Sequence, residues 1–239
     1  MKPVLPDPWA ALRAHTPARI ALGRAGNSLP TKEVLAFGLA HAKSRDAVHH
    51  ALDVEKLMRE LGDHHPIGVR SAAGDRATYL RRPDLGRKLD SPLSGNAEVV
   101  VAIEDGLSAV AVQTHAVPLL DELKKLSERW QSVPVVVATQ GRVALGDAIG
   151  ERMKAKLVVV LIGERPGLSS PDSLGVYLTY APRVGRTDAE RNCISNIRPQ
   201  GLSYAEAARR LDWLASAALA RGVTGIGLKD ESGLLDDRP

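Results

Sequence analysis

The sequence predicts an α/β protein: a Rossmann-like, mostly parallel sheet over residues 96–239, preceded by a mainly helical, irregular section over residues 1–95. Three observations carry this expectation. An unbroken apolar run, Leu157 to Ile162, is rich in β-branched residues, as in a strand buried on both faces of a parallel sheet. From Ala97 onward such runs alternate with helix-like stretches, the pattern of strands joined by right-handed crossovers. The central run then breaks into Gly163-Glu164-Arg165-Pro166-Gly167-Leu168, an irregular polar turn of the kind that holds ligands at strand ends.

In the first section, Asp7 to Ala14 reads as a short helix with Pro8 in its first turn. Two glycines in RIALGRAGNSLPT lead to Thr31, an N-cap for a helix over Lys32 to Lys43. A further helix is expected over Ser44 to Arg59, with Ala47, Val48, Ala51 and Leu52 as its apolar face. His49 and His50, like His64 and His65, are adjacent pairs. Neighbours on a helix point to different faces, so these read as surface or interface histidines rather than metal ligands. Ile67 to Leu89 holds turn signals at Gly74 and Pro83 and two strand-like fragments. Its Arg81, Arg82, Arg87 and Lys88 read as solvated or subunit-facing charge.

In the second section, Glu98 to Ile103 reads as a strand ending in Glu104, Asp105 and Gly106. Gly106 supplies the turn, and Ser108 caps a helix of small apolar residues. Asp105 and Ser108 sit at a strand exit within reach of a ligand, though capping is the expected role of Ser108. Pro118 either kinks that helix or opens a second one, striped by Leu119, Leu120, Leu123 and Leu126. Val133 to Ala138 is the next strand, and GRVALGDAIGERMKA gives a loop and then a helix. After the central strand, Leu174 to Tyr180 is expected as another strand, and the Arg-, Asp- and Asn-rich stretch around Cys193 as a loop. Ser203 with Glu206 forms a capping box that opens a helix with Ala207, Leu211 and Leu214 on its apolar face. Val223 to Leu228 reads as a short Gly-broken strand, and the tail ESGLLDDRP as frayed.

Composition narrows the function classes. A chain of 239 residues with 44% apolar content can bury a substantial core, and at 3% aromatics that core falls to Ala, Val, Leu and Ile. The net charge of +4 comes from 32 basic and 28 acidic residues that are interspersed, so no nucleic-acid partner is expected. One cysteine excludes an internal disulfide, and no Cys-x-x-Cys or His-rich spacing suggests a metal. That pattern fits a reducing cytoplasm. The N-terminus lacks an apolar signal segment and no apolar run approaches about 18 residues, so neither secretion nor a membrane span is expected.

Familiar catalytic motifs are missing. No GxxxxGK[ST] loop occurs, no GxGxxG follows a strand, no GxSxG elbow exists, and Cys193 has no sequence-evident His partner. What remains is a ligand-binding architecture without a catalytic set. A non-catalytic α/β protein for a small ligand or nucleotide fits it, and so does a subunit that helps hold a cofactor.

GRAG (Gly23 to Gly26), GERPGL, SLGVYLTY and TDAERNCISNI, in colinear order, resemble the small (light) subunit of ethanolamine ammonia-lyase, over roughly Arg19 to Leu219. YLRRPDLGRKL belongs to the same resemblance. The resemblance implies a subunit of an adenosylcobalamin-dependent radical enzyme that converts ethanolamine to acetaldehyde and ammonia. It also implies a large-subunit partner that carries the substrate site, and a small subunit inactive alone. Cobalamin contacts are implied at three matching positions: Val143 of GRV, Glu164 of GERPG and Cys193 of RNCISN. On residue chemistry alone, Val143 also fits the core at a helix start, and Glu164 an ion pair with Arg165 or Arg142. Cys193 also fits a small buried hydrophobe. Arg183, Arg186 and Arg191 suit a cofactor phosphate or, better, salt bridges between loops or subunits. The mutase-type DxHxxG motif is absent, since Asp63-His64-His65 has the wrong spacing, which implies a cobalamin whose own base stays on cobalt. Packaging within a bacterial microcompartment is left open.

Overall fold

The computed structural model describes residues 9–16 and 18–235. A 3-10 turn, Ala10–His15, leads to α1 (Thr31–His49) and α2 (Val54–Glu60). Strand β1 (Ile67–Arg70) and α3 (Arg76–Arg81) precede β2 (Val99–Glu104), α4 (Ala109–Lys124) and β3 (Val135–Thr139). Then come α5 (Leu145–Arg152), β4 (Leu157–Gly163), β5 (Leu174–Tyr180), β6 (Arg191–Ile197) and α6 (Tyr204–Arg221). The strands form one sheet in the order β1-β3-β2-β4-β5-β6. Pairings among β1, β3, β2 and β4 are parallel, and β5 runs antiparallel to both β4 and β6. The protein is therefore mixed α/β with a mostly parallel sheet.

The central strands are apolar at successive positions because both their faces are covered. Val99, Val101 and Ile103 of β2 pack with residues of α4 and α6, whereas Val100 and Ala102 pack with Leu145 and Ile149 of α5. A strand's two-residue period sends neighbours to opposite faces, so such a run needs helices on each. Ser108 caps α4: its Oγ accepts from the Ala111 N–H at 3.4 Å and donates to the Pro171 carbonyl at 2.9 Å. Pro118 lies inside α4 without splitting it, held by the buried Ala116, Leu119 and Leu120 on either side. No described helix is long and apolar enough to cross a membrane.

Several local expectations are corrected. The helix from Thr31 does not stop at Lys43 but runs to His49. Ser44 does not cap a new helix, because its Oγ turns back onto the Ala40 carbonyl at 3.0 Å. The break falls at His50, and Asp53 caps α2 by accepting from the Lys56 N–H at 2.9 Å. Thr31 is itself the first helical residue, after Pro30, and forms no side-chain cap. His64 is buried, its Nδ1 3.1 Å from the Val133 carbonyl, and burial lowers its pKa. Of the two strand-like fragments before Leu89, the first is β1, which joins the sheet beside β3, and the second gives way to α3 and the turn Leu85–Arg87. The stretch around Cys193 is strand β6 rather than a loop. Val223 to Leu228 holds a 3-10 turn, Gly225–Gly227, instead of a strand. At the two ends, Asp7, Pro8 and residues 236–239 lie outside the described residues, while Ser232–Leu235 form a 3-10 turn.

Candidate cofactor crevice

From β2 the chain crosses through α4 to β3 on one side, then returns after α5 to β4 on the other side of β2. This reversal places a crevice beyond the carboxyl ends of β2 and β4, where open α/β sheets bind ligands. Gly106 makes the turn out of β2 at φ 57°, and a Cβ there would collide with the Gly163 carbonyl. The Leu107 N–H donates to that same carbonyl at 2.9 Å, so the two strand ends are tied. A cleft of about 420 Å³ opens there, walled by Leu107, Arg142, Val143, Glu164 and the rings of Tyr79 and Tyr177.

Two of the three sequence-derived positions face the same cleft. Val143 stands in the loop after β3, which Asp105 holds: its carboxylate accepts from the Gln140 N–H at 2.9 Å and the Gly141 N–H at 3.0 Å. Asp105 is thus a backbone anchor. Burial raises its pKa, and the two amide bonds oppose that rise. Glu164, half-buried at the end of β4, accepts from Ser173 Oγ at 2.6 Å and from the Asn196 N–H at 3.2 Å. Its partners are therefore Ser173 and Asn196 rather than Arg165 or Arg142. Cys193 is not on the cleft wall. It lies exposed on β6 opposite Tyr177, whose ring is on that wall. Partial desolvation of the sulfur raises the thiol's pKa, Tyr177 pulls it down, and the Glu164 charge raises it further, so the sulfur stays protonated at neutral pH. Tyr79, Arg142 and Tyr177 were missed as wall residues. The signal for the two tyrosines was scarcity: a chain with 3% aromatics puts two of its four Tyr here.

The model of the ethanolamine ammonia-lyase light chain matches residues 6–229. The chain belongs to the ethanolamine ammonia-lyase light-chain family. It is 54% identical to the ethanolamine ammonia-lyase small subunit of Xanthomonas campestris pv. campestris, over 98% of this chain and 90% of that relative. It is 53% identical to that of Azotobacter vinelandii, over 96% and 91%, and 52% identical to that of Ralstonia nicotianae, over 95% and 90%.

Beneath the crevice this light chain buries a second set of charges. Arg191 of β6 grips Asp147 of α5 with both arms, Nη1 to Oδ1 at 2.6 Å and Nη2 to Oδ2 at 2.7 Å. Arg186 above it pairs with Glu190, so both arginines serve loop architecture. Glu104, at the end of β2, is fully buried with neither carboxyl oxygen partnered. Burial, then the charges of Asp105 and Asp147, lift its pKa well above 4.5, with Arg191 pulling the other way. A neutral acid is the form that fits. The sign follows from linkage: with the folded pKa raised, the stability from Glu104 is complete below about pH 4.5 and is lost as pH rises through the folded value. Glu104→Gln should therefore flatten the fall in stability above about pH 5, by at most about 1.4 kcal/mol per pH unit. Urea unfolding at a series of pH values checks this; parallel curves for the two proteins would show Glu104 ionised in the fold.

Proposed function

We propose that this chain is the small subunit of an adenosylcobalamin-dependent ethanolamine ammonia-lyase, and that it binds and orients the cofactor while a large subunit carries ethanolamine. The observation that supports this is the crevice between β2 and β4, which brings Val143 and Glu164 to one cleft with Cys193 beside it. The chemistry of these walls fits a corrinoid. A corrin ring is fringed with neutral amides, which need acceptors for their N–H groups and apolar surface for their stems. The Glu164 carboxylate keeps lone pairs free after Ser173 and Asn196 are satisfied. Val143, Leu107 and Tyr177 offer apolar surface, and the protonated Cys193 thiol lies on the next strand opposite Tyr177. Adenosylcobalamin, when bound, supplies radical chemistry through its cobalt–carbon bond. The chain's own residues hold one side of the ligand, fix its direction and exclude water there. A cleft of about 420 Å³ takes only part of so large a ligand, which leaves the remainder to the partner.

The test separates binding from turnover. Assembled with its large subunit, the protein should take up adenosylcobalamin and show a corrin absorption spectrum after gel filtration. Alone, the chain should release no acetaldehyde from ethanolamine with the cofactor present. Turnover by the chain in the rigorous absence of the large subunit would overturn the proposal, as would an assembly that retains no corrinoid.

A further inference from the structure

Beside the crevice lies a second cleft of about 470 Å³ that shares Arg142, Val143 and Tyr177 with it. Its charged groups are Arg87, Arg142, Arg186, Asp188 and Arg191. Most are already matched. Arg191 is taken up by Asp147 and Thr179, and the exposed Asp188 reaches its Nε at 3.4 Å. Arg186 pairs with Glu190 and donates to the carbonyls of Tyr180 and Ala181, and the Thr187 hydroxyl is held by Glu190 as well. Arg142 and Arg87 are left over. Arg142 lies 4.2 Å over the Tyr79 ring and donates from Nη2 to the Tyr79 carbonyl at 3.1 Å. Its Nε is buried without an acceptor, and among the described residues it makes no ion pair. Arg87 is exposed and has neither a hydrogen bond nor an ion pair among the described residues.

The local sequence sets these two side by side. The Gly86 carbonyl accepts from the Arg142 N–H at 2.9 Å, docking the turn Leu85–Arg87 onto the loop after β3. A Cβ on Gly86 would stand 2.8 Å from Arg142 Cγ and 3.2 Å from the Tyr79 ring, so only glycine lets the arginine lie in this groove. The result is a cleft with a surplus of positive charge: neither Arg87 nor Arg142 pairs with an anion among the described residues, and the cleft's one carboxylate, the exposed Asp188, turns to Arg191. Closing a ligand or a partner over an unpaired guanidinium is costly unless an anion comes with it. A guanidinium fork matches the paired oxygens of a phosphate.

We propose that Arg142 and Arg87 form an anion subsite that receives a phosphodiester group of the ligand held in the adjoining crevice. The proposal rests on cobalamin being that ligand, whose nucleotide arm carries such a group. Titration of the assembled protein with adenosylcobalamin and with adenosylcobinamide, which lacks the phosphodiester, tests it. The exposed Arg87→Gln should weaken adenosylcobalamin binding severalfold with adenosylcobinamide binding unchanged. Arg142→Gln, which also alters the crevice wall, should weaken adenosylcobalamin binding roughly tenfold and adenosylcobinamide binding much less. The Arg87 variant leaves the Tyr79 stack intact, so misfolding does not confound it. Loss of affinity for both corrinoids alike, or for neither, would overturn the subsite while leaving the crevice assignment standing. If the cofactor-free subunits associate more weakly in either variant, the arginines meet an acidic side chain of the partner and the proposal falls. If the unaltered assembly binds neither corrinoid, the cobalamin assignment itself falls and takes the subsite with it.

Discussion

Asp147→Ala is expected to cost the fold about 3–5 kcal/mol, the range for stripping one partner from a buried ion pair. In a chain of this size that is a fall in melting temperature of roughly 6–20 °C. The reason is geometric. The Arg191 and Asp147 side chains are 2% and 1% exposed, and the guanidinium also bonds Thr179 Oγ1 and the Arg186 carbonyl, each at 2.9 Å. Burial pushes the Arg191 pKa down, and the Asp147 and Asp188 carboxylates together hold it above its ordinary value; at Asp147 burial wins over Arg191 and raises the carboxyl's pKa. Removing the carboxylate leaves a nearly buried charge whose one remaining carboxylate neighbour is the exposed Asp188. The same link ties α5 to β6, so Cys193 and the second cleft should shift with it. Asp147→Leu combined with Arg191→Met removes both charges at similar volume and should recover much of the loss. A single variant that melts with the parent, or a double variant no better than the single, would show that the pair does not stabilise this fold.

Legibility in the sequence tracked how much of each element is buried on both sides. Strands β2, β3 and β4 read directly because every position meets a helix layer, so a continuous β-branched run has one interpretation. Helix α6 read directly from Ser203, whose Oγ accepts from the Glu206 N–H at 3.3 Å. The capping box there is only half made, because the Glu206 carboxylate turns to Arg209 and Arg210. The complete box is at Thr187 and Glu190, before β6. That strand was illegible because it is the sheet's edge. Asn192, Cys193, Ser195 and Asn196 leave it open to solvent on one side, and only its backbone pairing with β5 makes it a strand. Of the crevice, the strand ends and two wall positions were visible in GRV and GERPG. Tyr79 was not, nor was the stacking of Arg142 on its ring, since the two meet only when the turn after α3 docks across a long stretch of chain. Glu104 was equally hidden: a carboxylate after a strand reads as a loop residue until the loop of Gly141 is seen to close over it.

Glu164→Ala is expected to weaken adenosylcobalamin binding by the assembled protein about ten- to a hundredfold, the equivalent of about 1.5–3 kcal/mol for a hydrogen bond to a charged group. Glu164→Gln should lose less, because its amide oxygen still accepts. The structure adds a complication with a clean control. The same carboxylate joins Ser173 to the backbone of Asn196, and so fastens the end of β4 to the edge strand β6. Truncating it should therefore also lower the melting temperature of the cofactor-free protein, whatever its role toward a ligand. Ser173→Ala separates the two effects, since it removes the 2.6 Å bond but leaves the carboxylate facing the cleft. If Glu164 accepts from the corrin amides, Ser173→Ala should melt lower with cofactor affinity nearly intact, while Glu164→Ala loses both. If Glu164 only braces β6, the two variants should melt alike and bind cofactor alike. Affinity that survives Glu164→Ala would retire the residue as a ligand contact and leave it as the fastening between two strands.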